Sequence, residues 1–417
     1  MRVFFISAIS IWLFACGKTA DPIVQDLRNT PENLEKPYVV MVSLDGFRHD
    51  YAQRYGAQNL LAIAQNGIST PALIPVYPSK TFPNHYSLVT GLYPARHGLV
   101  NNSFYDPARG ETYKIGDREK VEDGSWYGGT PLWVLARQQG MNSASFFWVG
   151  SEANIQGTQP AYYYRYDKSI PNYRRVDQVI EWLKLPEDQR PHLILLYFSL
   201  VDDDGHKFGP DADELIASVH VADDLIGNLR RGLRQFKFPI NLILVSDHGM
   251  IRIDNQNPIR ANELADLSGF EQVSGGAFLM LYHEDSARIA ATYAQLKAKE
   301  YRYRVYLRDS IPAHLHFRDN DRVGNILMMA EAPAIIETNP LYKASPGTHG
   351  YDAYAVPEMG GIFYAEGPAF RKGLVIPPFE AIHVYPLVAH ILGLPTGDID
   401  GDLEIWEEAL QPGVYPQ

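Results

Sequence analysis

Three short apolar runs in this chain each lead into an aspartate, and that repetition limits the fold more than any other feature. Tyr38-Val39-Val40-Met41-Val42-Ser43-Leu44 is followed by Asp45-Gly46. His192 to Phe198 is followed by Asp202, and Ile240 to Val245 by Ser246-Asp247-His248-Gly249. Runs this apolar suit strands buried on both faces, as in a parallel sheet. Between the second and third, Leu215, Val219, Ala222, Ile226, Leu229 and Leu233 recur at helical spacing from Asp211 to Phe236. Strand, helix, strand predicts a doubly wound, mostly parallel α/β sheet flanked by helices. Ligands of such sheets sit beyond the carboxyl ends of the strands, where these acids fall. One Asp there is an ordinary turn former. Three at one level, two of them near a His, predict a metal site.

The ligand types follow from composition. Among 417 residues there is one cysteine, Cys16, so neither a disulfide framework nor a cysteine zinc site is available. Asp202 and His206 sit four apart around Gly205, a spacing expected to let a loop turn both toward one ion. Asp247-His248 offers adjacent donors, and His349 lies in the loop Pro346-Gly347-Thr348-His349-Gly350. Zinc accepts Asp oxygen and His nitrogen, and catalytic zinc keeps an open position. In Lys80-Thr81-Phe82-Pro83-Asn84-His85, Pro83 fits the first turn of a helix, and Thr81 the position before it. Thr81 is a helix cap or a nucleophile, since a helix N-terminus favours a phosphate and a metal can activate a hydroxyl. The formal net charge of −12 leaves no basic footprint for a nucleic acid polymer.

The N-terminus reads as an address. Arg2 precedes an apolar run from Val3 to Ala15, too short for a membrane span of about 20 residues. Leu13-Phe14-Ala15-Cys16 resembles a bacterial lipobox, which predicts a signal peptide over 1–16 and lipidation at Cys16. A plain signal peptide cut near Ala15 is the alternative. The expected location is the periplasm or outer membrane, with membrane contact through the lipid alone. Residues 17–37 are polar, contain three prolines and are expected to form a flexible tether.

Taken in order, Asp45-Gly46, Lys80 to His85, His97-Gly98 to Asn102, Asp202 to His206, Asp247-His248-Gly249 and Thr348-His349-Gly350 resemble the bacterial nucleotide pyrophosphatase/phosphodiesterase family of the alkaline phosphatase superfamily. The likeness runs from about Tyr38 to about Leu394. It implies two zinc ions: one on Asp45, Thr81, Asp247 and His248, the other on Asp202, His206 and His349. It further implies a covalent phosphothreonine on Thr81, with Asn102 and the Phe82 N–H stabilising a non-bridging oxygen. Relatives often carry Glu-Pro before the fifth of these ligands; this chain has Leu200-Val201.

The substrate class rests on charge and aromatics. A sulfatase would need Cys or Ser in a C/S-x-P-x-R setting, which the Thr81 segment lacks. A phosphomonoester dianion calls for Arg or Lys, whereas the neutral Asn102 suits a diester. Lys80 is expected to point away. The resemblance makes Phe82 and Tyr166 the walls that stack a nucleotide base. The expected activity is a two-zinc phosphodiesterase or nucleotide pyrophosphatase acting on a small phosphate diester. The alternatives are a phosphomonoesterase, a phospholipid or choline-ester phosphodiesterase, and a non-catalytic surface lipoprotein that binds a ligand. His85, His97, His220, His383 and His390 are read as structural or surface residues. Residues 38–269 and 337–417 are expected to form the catalytic α/β domain, and 270–336 an inserted α+β subdomain.

Overall fold

The computed structural model describes residues 21–25, 27–339, 341 and 343–414. Cys16 and the signal segment lie outside the described residues. A nine-stranded sheet forms the centre. Across it the strands run Ile23–Val24, Tyr162–Tyr164, Ser143–Phe146, Leu193–Phe198, Tyr38–Leu44, Ile240–Val245, Phe363–Glu366, Ile68–Ser69 and Leu374–Val375. The strands from Tyr162–Tyr164 through Ile240–Val245 are mutually parallel. Ile23–Val24 and Phe363–Glu366 join antiparallel on either side. The fold is thus the mixed, mainly parallel α/β architecture the apolar runs predict.

Alternation along the strands divides the core. Val39, Met41, Leu193, Leu195, Ile243 and Val245 face one layer. Val40, Val42, Ile194, Leu196, Leu242 and Leu244 face the other, against the helices Asn172–Leu183 and Asp213–Leu233. Each such side chain, fully buried, contributes roughly 1.5–3 kcal/mol. This holds the strand ends, and the acids beyond them, at one level.

Two local expectations are corrected. Residues 21–37 do not stand clear as a tether. Ile23–Val24 adds a strand to the sheet edge, and Asn29 and Asn33 are buried. The Asn29 amide donates to Glu187 O and Arg190 O, and the Asn33 amide to Gln139 O. Buried amides anchoring this segment leave no hydrophobic period to read. Secondly, Asp202 and His206 lie on a helix, Leu200–Phe208, not in a loop. Residues four apart share one helix face, so both still point the same way.

A separate sheet of four antiparallel strands, Glu271–Ser274, Phe278–Tyr282, Ile326–Ala330 and Tyr303–Leu307, packs with the helix Ser286–Ala298. Its contact with the main layer includes Arg322. This side chain pairs with Asp106 at 2.8 Å and donates to Gly98 O and Trp126 O. Among the described residues, no helix is long and apolar enough to cross a membrane.

Candidate metal centre and substrate pocket

Each candidate donor is delivered by its own element. Asp45 follows strand Tyr38–Leu44, and Asp247 and His248 follow Ile240–Val245. Asp202 and His206 ride the helix Leu200–Phe208. His349 comes just after Gly347–Thr348, a short strand held antiparallel to Ile251–Arg252. Thr81 is the first residue of the helix Thr81–Thr90. The cap position belongs to Lys80, and no side chain caps this helix end. The Thr81 hydroxyl is therefore not engaged as a cap.

The structure brings these groups together. Ligand atoms of Asp45, Asp247 and His248 lie within 4.8 Å of one another, as do those of Asp202, His248 and His349. His248 Nε2 is 3.4 Å from Thr81 Oγ1, 3.4 Å from Asp45 Oδ1 and 3.1 Å from Asp247 Oδ2. His206 Nε2 is 3.1 Å from His349 Nε2 and 3.5 Å from Asp202 Oδ1. His248 thus stands between the two acid groups, with its ring stacked on His349 at 3.6 Å between centroids.

Two observations test whether cations fit. Asp45 Oδ1, Asp202 Oδ1 and Asp247 Oδ2 are buried and accept no hydrogen bond among the described residues. Buried polar atoms without partners are rare and call for an ion or another explanation. The second is the locking of the imidazoles. Nδ1 of His206, His248 and His349 meets the carbonyls of Gly347, Gly249 and Ser79 at 2.9, 3.0 and 2.6 Å. An Nδ1–H donated to a carbonyl leaves the Nε2 lone pair for a metal, the usual support of a ligating histidine. The donor set of carboxylate, imidazole and hydroxyl suits a divalent cation such as zinc.

The electrostatics agree. Burial drives the Asp45 carboxyl above its usual range, and the charges of Asp247 and Asp202 add to this. Burial also raises Asp202, against the pull of His206 and His248. For Asp247 burial acts upward too, but His248 and His85 outweigh it and hold the carboxyl low. His349 is pushed well down by burial, then by His248, Lys80 and His206, which keeps its ring neutral. Acids forced together out of water are the setting that bound cations relieve.

Several supporting residues escape a linear reading. Tyr197 donates to Asp45 Oδ2 at 2.5 Å, leaving Oδ1 free. Its only sequence signal is its place near the end of an apolar strand. His85, expected to be structural, has Nδ1 3.2 Å from Asp247 Oδ2 and Nε2 2.8 Å from Ser43 Oγ. The Phe82 N–H donates to Asn102 Oδ1 at 2.9 Å, so it is already engaged and turns the Asn102 NH2 outward. The expectation that Phe82 N–H itself faces a substrate oxygen is corrected by that bond.

Two cavities flank this centre. One, about 330 Å³, is lined by Thr81, Phe82, Asn102, Arg118, Phe147, Trp148, Glu152 and Tyr166 together with Asp45, Asp202, His206 and His349. Tyr166 is 41% exposed and its ring lies 5.1 Å from that of Phe147. The structure thus places Phe82 and Tyr166 in one cavity. The second, about 440 Å³, is polar and shares His206 and Asn102. Lys80 lines it and is buried, so its side chain does not point away from the centre as expected. Burial lowers its amine to about 8.

Similar proteins were found at three levels. The family model described as type I phosphodiesterase / nucleotide pyrophosphatase matches residues 39–352. Human ectonucleotide pyrophosphatase/phosphodiesterase family member 1 is 34% identical over 401 residues, covering 92% of this chain and 43% of that protein. A pyrophosphatase/phosphodiesterase of Schizosaccharomyces pombe is 35% identical over 413 residues, 94% of this chain and 84% of that one. Venom phosphodiesterase of Naja atra is 34% identical over 384 residues, 89% of this chain and 46% of that one. The chain thus spans less than half the length of the human and cobra proteins. Murine ectonucleotide pyrophosphatase/phosphodiesterase 5, solved as an inactive threonine-to-alanine variant with AMP, superposes with a TM-score of 0.85 at 29% identity. The superposition covers 90% of this chain and 100% of that one. These relatives are animal and fungal, so the assignment stands without the bacterial qualifier. The chain belongs to the type I phosphodiesterase / nucleotide pyrophosphatase family.

Proposed function

We propose that this chain is a two-zinc phosphodiesterase or nucleotide pyrophosphatase that works through a phosphothreonine on Thr81. The observation that carries the reading is the set of three buried, unpartnered carboxylate oxygens facing three imidazoles locked through Nδ1. Asp45, Thr81, Asp247 and His248 would hold one zinc, and Asp202, His206 and His349 the other. Zinc bound there would supply Lewis-acid stabilisation of the phosphoryl oxygens and a lowered hydroxyl pKa.

The residues divide the remaining work. Thr81 Oγ attacks phosphorus, and the bond to the leaving oxygen breaks. Water then attacks the phosphothreonine, restoring the Thr81 hydroxyl and releasing the monoester. The Asn102 NH2, turned outward by the Phe82 bond, donates to a non-bridging oxygen, whose growing charge makes the bond stronger. Phe82 and Tyr166 stack the base of a nucleotide substrate. The AMP complex of the murine relative, and its inactivity without one threonine, support both assignments.

The test compares bis-p-nitrophenyl phosphate, p-nitrophenyl phosphate and thymidine 5′-(p-nitrophenyl phosphate), with and without chelator. Expected is fastest turnover of the nucleotide diester, loss on chelation and return with zinc. Thr81→Ala should lose activity by about three orders of magnitude or more. Preference for the simple monoester would make the protein a phosphomonoesterase. Preference for phosphocholine esters would move it to the lipid branch, and no turnover with zinc bound would make it a binding protein.

The N-terminus is proposed to direct bacterial export and lipidation at Cys16, giving a periplasmic or outer-membrane lipoprotein. That rests on Leu13-Phe14-Ala15-Cys16 alone. Radiolabelled palmitate incorporation, lost in Cys16→Ala, tests it; an unlabelled wild-type protein overturns it.

A further inference from the structure

The aromatic cavity carries a charged group that the metal chemistry does not use. Arg118 lines it with Phe82 and Tyr166. Its charged partners are Glu152 and Glu122, not the acids of the metal centre. Both contacts use one nitrogen: Nη2 donates to Glu122 Oε1 at 3.0 Å and to Glu152 Oε2. Among the described residues, Nε and Nη1 of Arg118 have no hydrogen-bond partner. Glu152 is only 7% exposed, and its carboxylate is engaged by Arg118 and by the backbone N–H of Tyr166. The pair therefore presents donors to a ligand, with its acceptor turned inward.

A nucleotide held by phosphorus at Thr81 and stacked on Phe82 reaches the rest of the cavity with the part of the base remote from the sugar. In purines the substituent on that side is at C6, in pyrimidines at C4. It is a carbonyl in guanine, uracil and thymine and an amino group in adenine and cytosine. An amino group facing Arg118 sets donor against donor, whereas a carbonyl accepts a charge-assisted bond. We infer that Arg118, braced by Glu152, reads this substituent and makes the enzyme favour keto over amino bases. The inference rests on the nucleotide reading of the site given above.

The experiment measures kcat/KM for the 5′-(p-nitrophenyl phosphates) of guanosine, adenosine, uridine and cytidine. The zinc-loaded wild type should favour guanosine over adenosine, and uridine over cytidine, by about five- to tenfold. Arg118→Met should bring both ratios close to one, and Arg118→Lys, with a single donor head, should fall between. Equal or amino-favouring ratios in the wild type overturn the inference. So does an equal fall for all four substrates in Arg118→Met, which would make Arg118 only a support for Tyr166. Wild-type turnover of bis-p-nitrophenyl phosphate separates the two levels. No turnover removes the phosphodiesterase itself, while turnover without a keto preference removes only the base reading.

Discussion

Gly46 and Asp202 approach so closely that a Cβ on Gly46 would stand 2.8 Å from the Asp202 Cα. Gly46 also has φ +67°, in the left-handed region that L side chains resist. The glycine after Asp45 therefore lets the helix carrying Asp202 and His206 dock against the strand carrying Asp45. Gly46→Ala should lower metal affinity about tenfold or more, the scale seen when support around a ligand is lost. Metal content after dialysis against a competing chelator checks this. A variant that keeps full metal occupancy would contradict it.

Tyr197 holds Asp45 with one hydrogen bond to Oδ2. Tyr197→Phe keeps the ring but frees that oxygen to rotate. Metal affinity and kcat/KM should both fall, by about 10- to 100-fold. Isothermal titration with zinc, run beside the kinetics, tests whether the two losses track each other.

Tyr166 is exposed on one side and covers the cavity on the other. Tyr166→Ala should remove about 1–3 kcal/mol of stacking from nucleotide substrates. The expected reading is a fall in kcat/KM of tenfold or more for thymidine 5′-(p-nitrophenyl phosphate). The loss for methyl p-nitrophenyl phosphate, which has no base, should be clearly smaller.

Arg322 ties the four-stranded sheet to the main layer through buried Asp106. Arg322→Met would leave the Asp106 carboxylate without this partner, with two carbonyls also losing a donor. Removing one member of a buried pair costs about 3–5 kcal/mol. Denaturant unfolding at fixed metal concentration should show a loss of that order.

His97 gives a pH-dependent contribution. It is fully buried, and burial lowers its imidazole to about 3. An unfolded histidine titrates near 6.5, so between about 3 and 6.5 the unfolded chain binds the extra proton. Stability from this residue is complete above 6.5 and falls as pH drops below it. At pH 5.5 the loss is about 1.4 kcal/mol relative to pH 8. The difference in unfolding free energy between those two pH values should shrink by about that much in His97→Gln. An unchanged difference would show that His97 does not carry it.

The metal-site chemistry was legible because its donors follow local grammar. Asp45 and Asp247 come directly after buried strands, and Asp202 and His206 share a helix face. The Ile23–Val24 strand was not legible, since a two-residue edge strand has no period to detect. Nor was the Lys80 side chain, whose direction depends on the packing around Gly350, where a Cβ would meet its Cε at 2.7 Å.

From the order of residues alone came the parallel core, the Asp and His donors and Thr81 at the head of a helix. Short-range rules suffice there, because strand period and helix turns act over a few residues. Only the tertiary structure decided that His248 stands between both acid groups, that Tyr197 holds Asp45 and that Arg118 enters the aromatic cavity. Such contacts join distant residues, Tyr197 and Asp45 being 152 apart in the chain. They form when the sheet stacks its strand ends at one level, and side-chain types in sequence carry no record of that meeting.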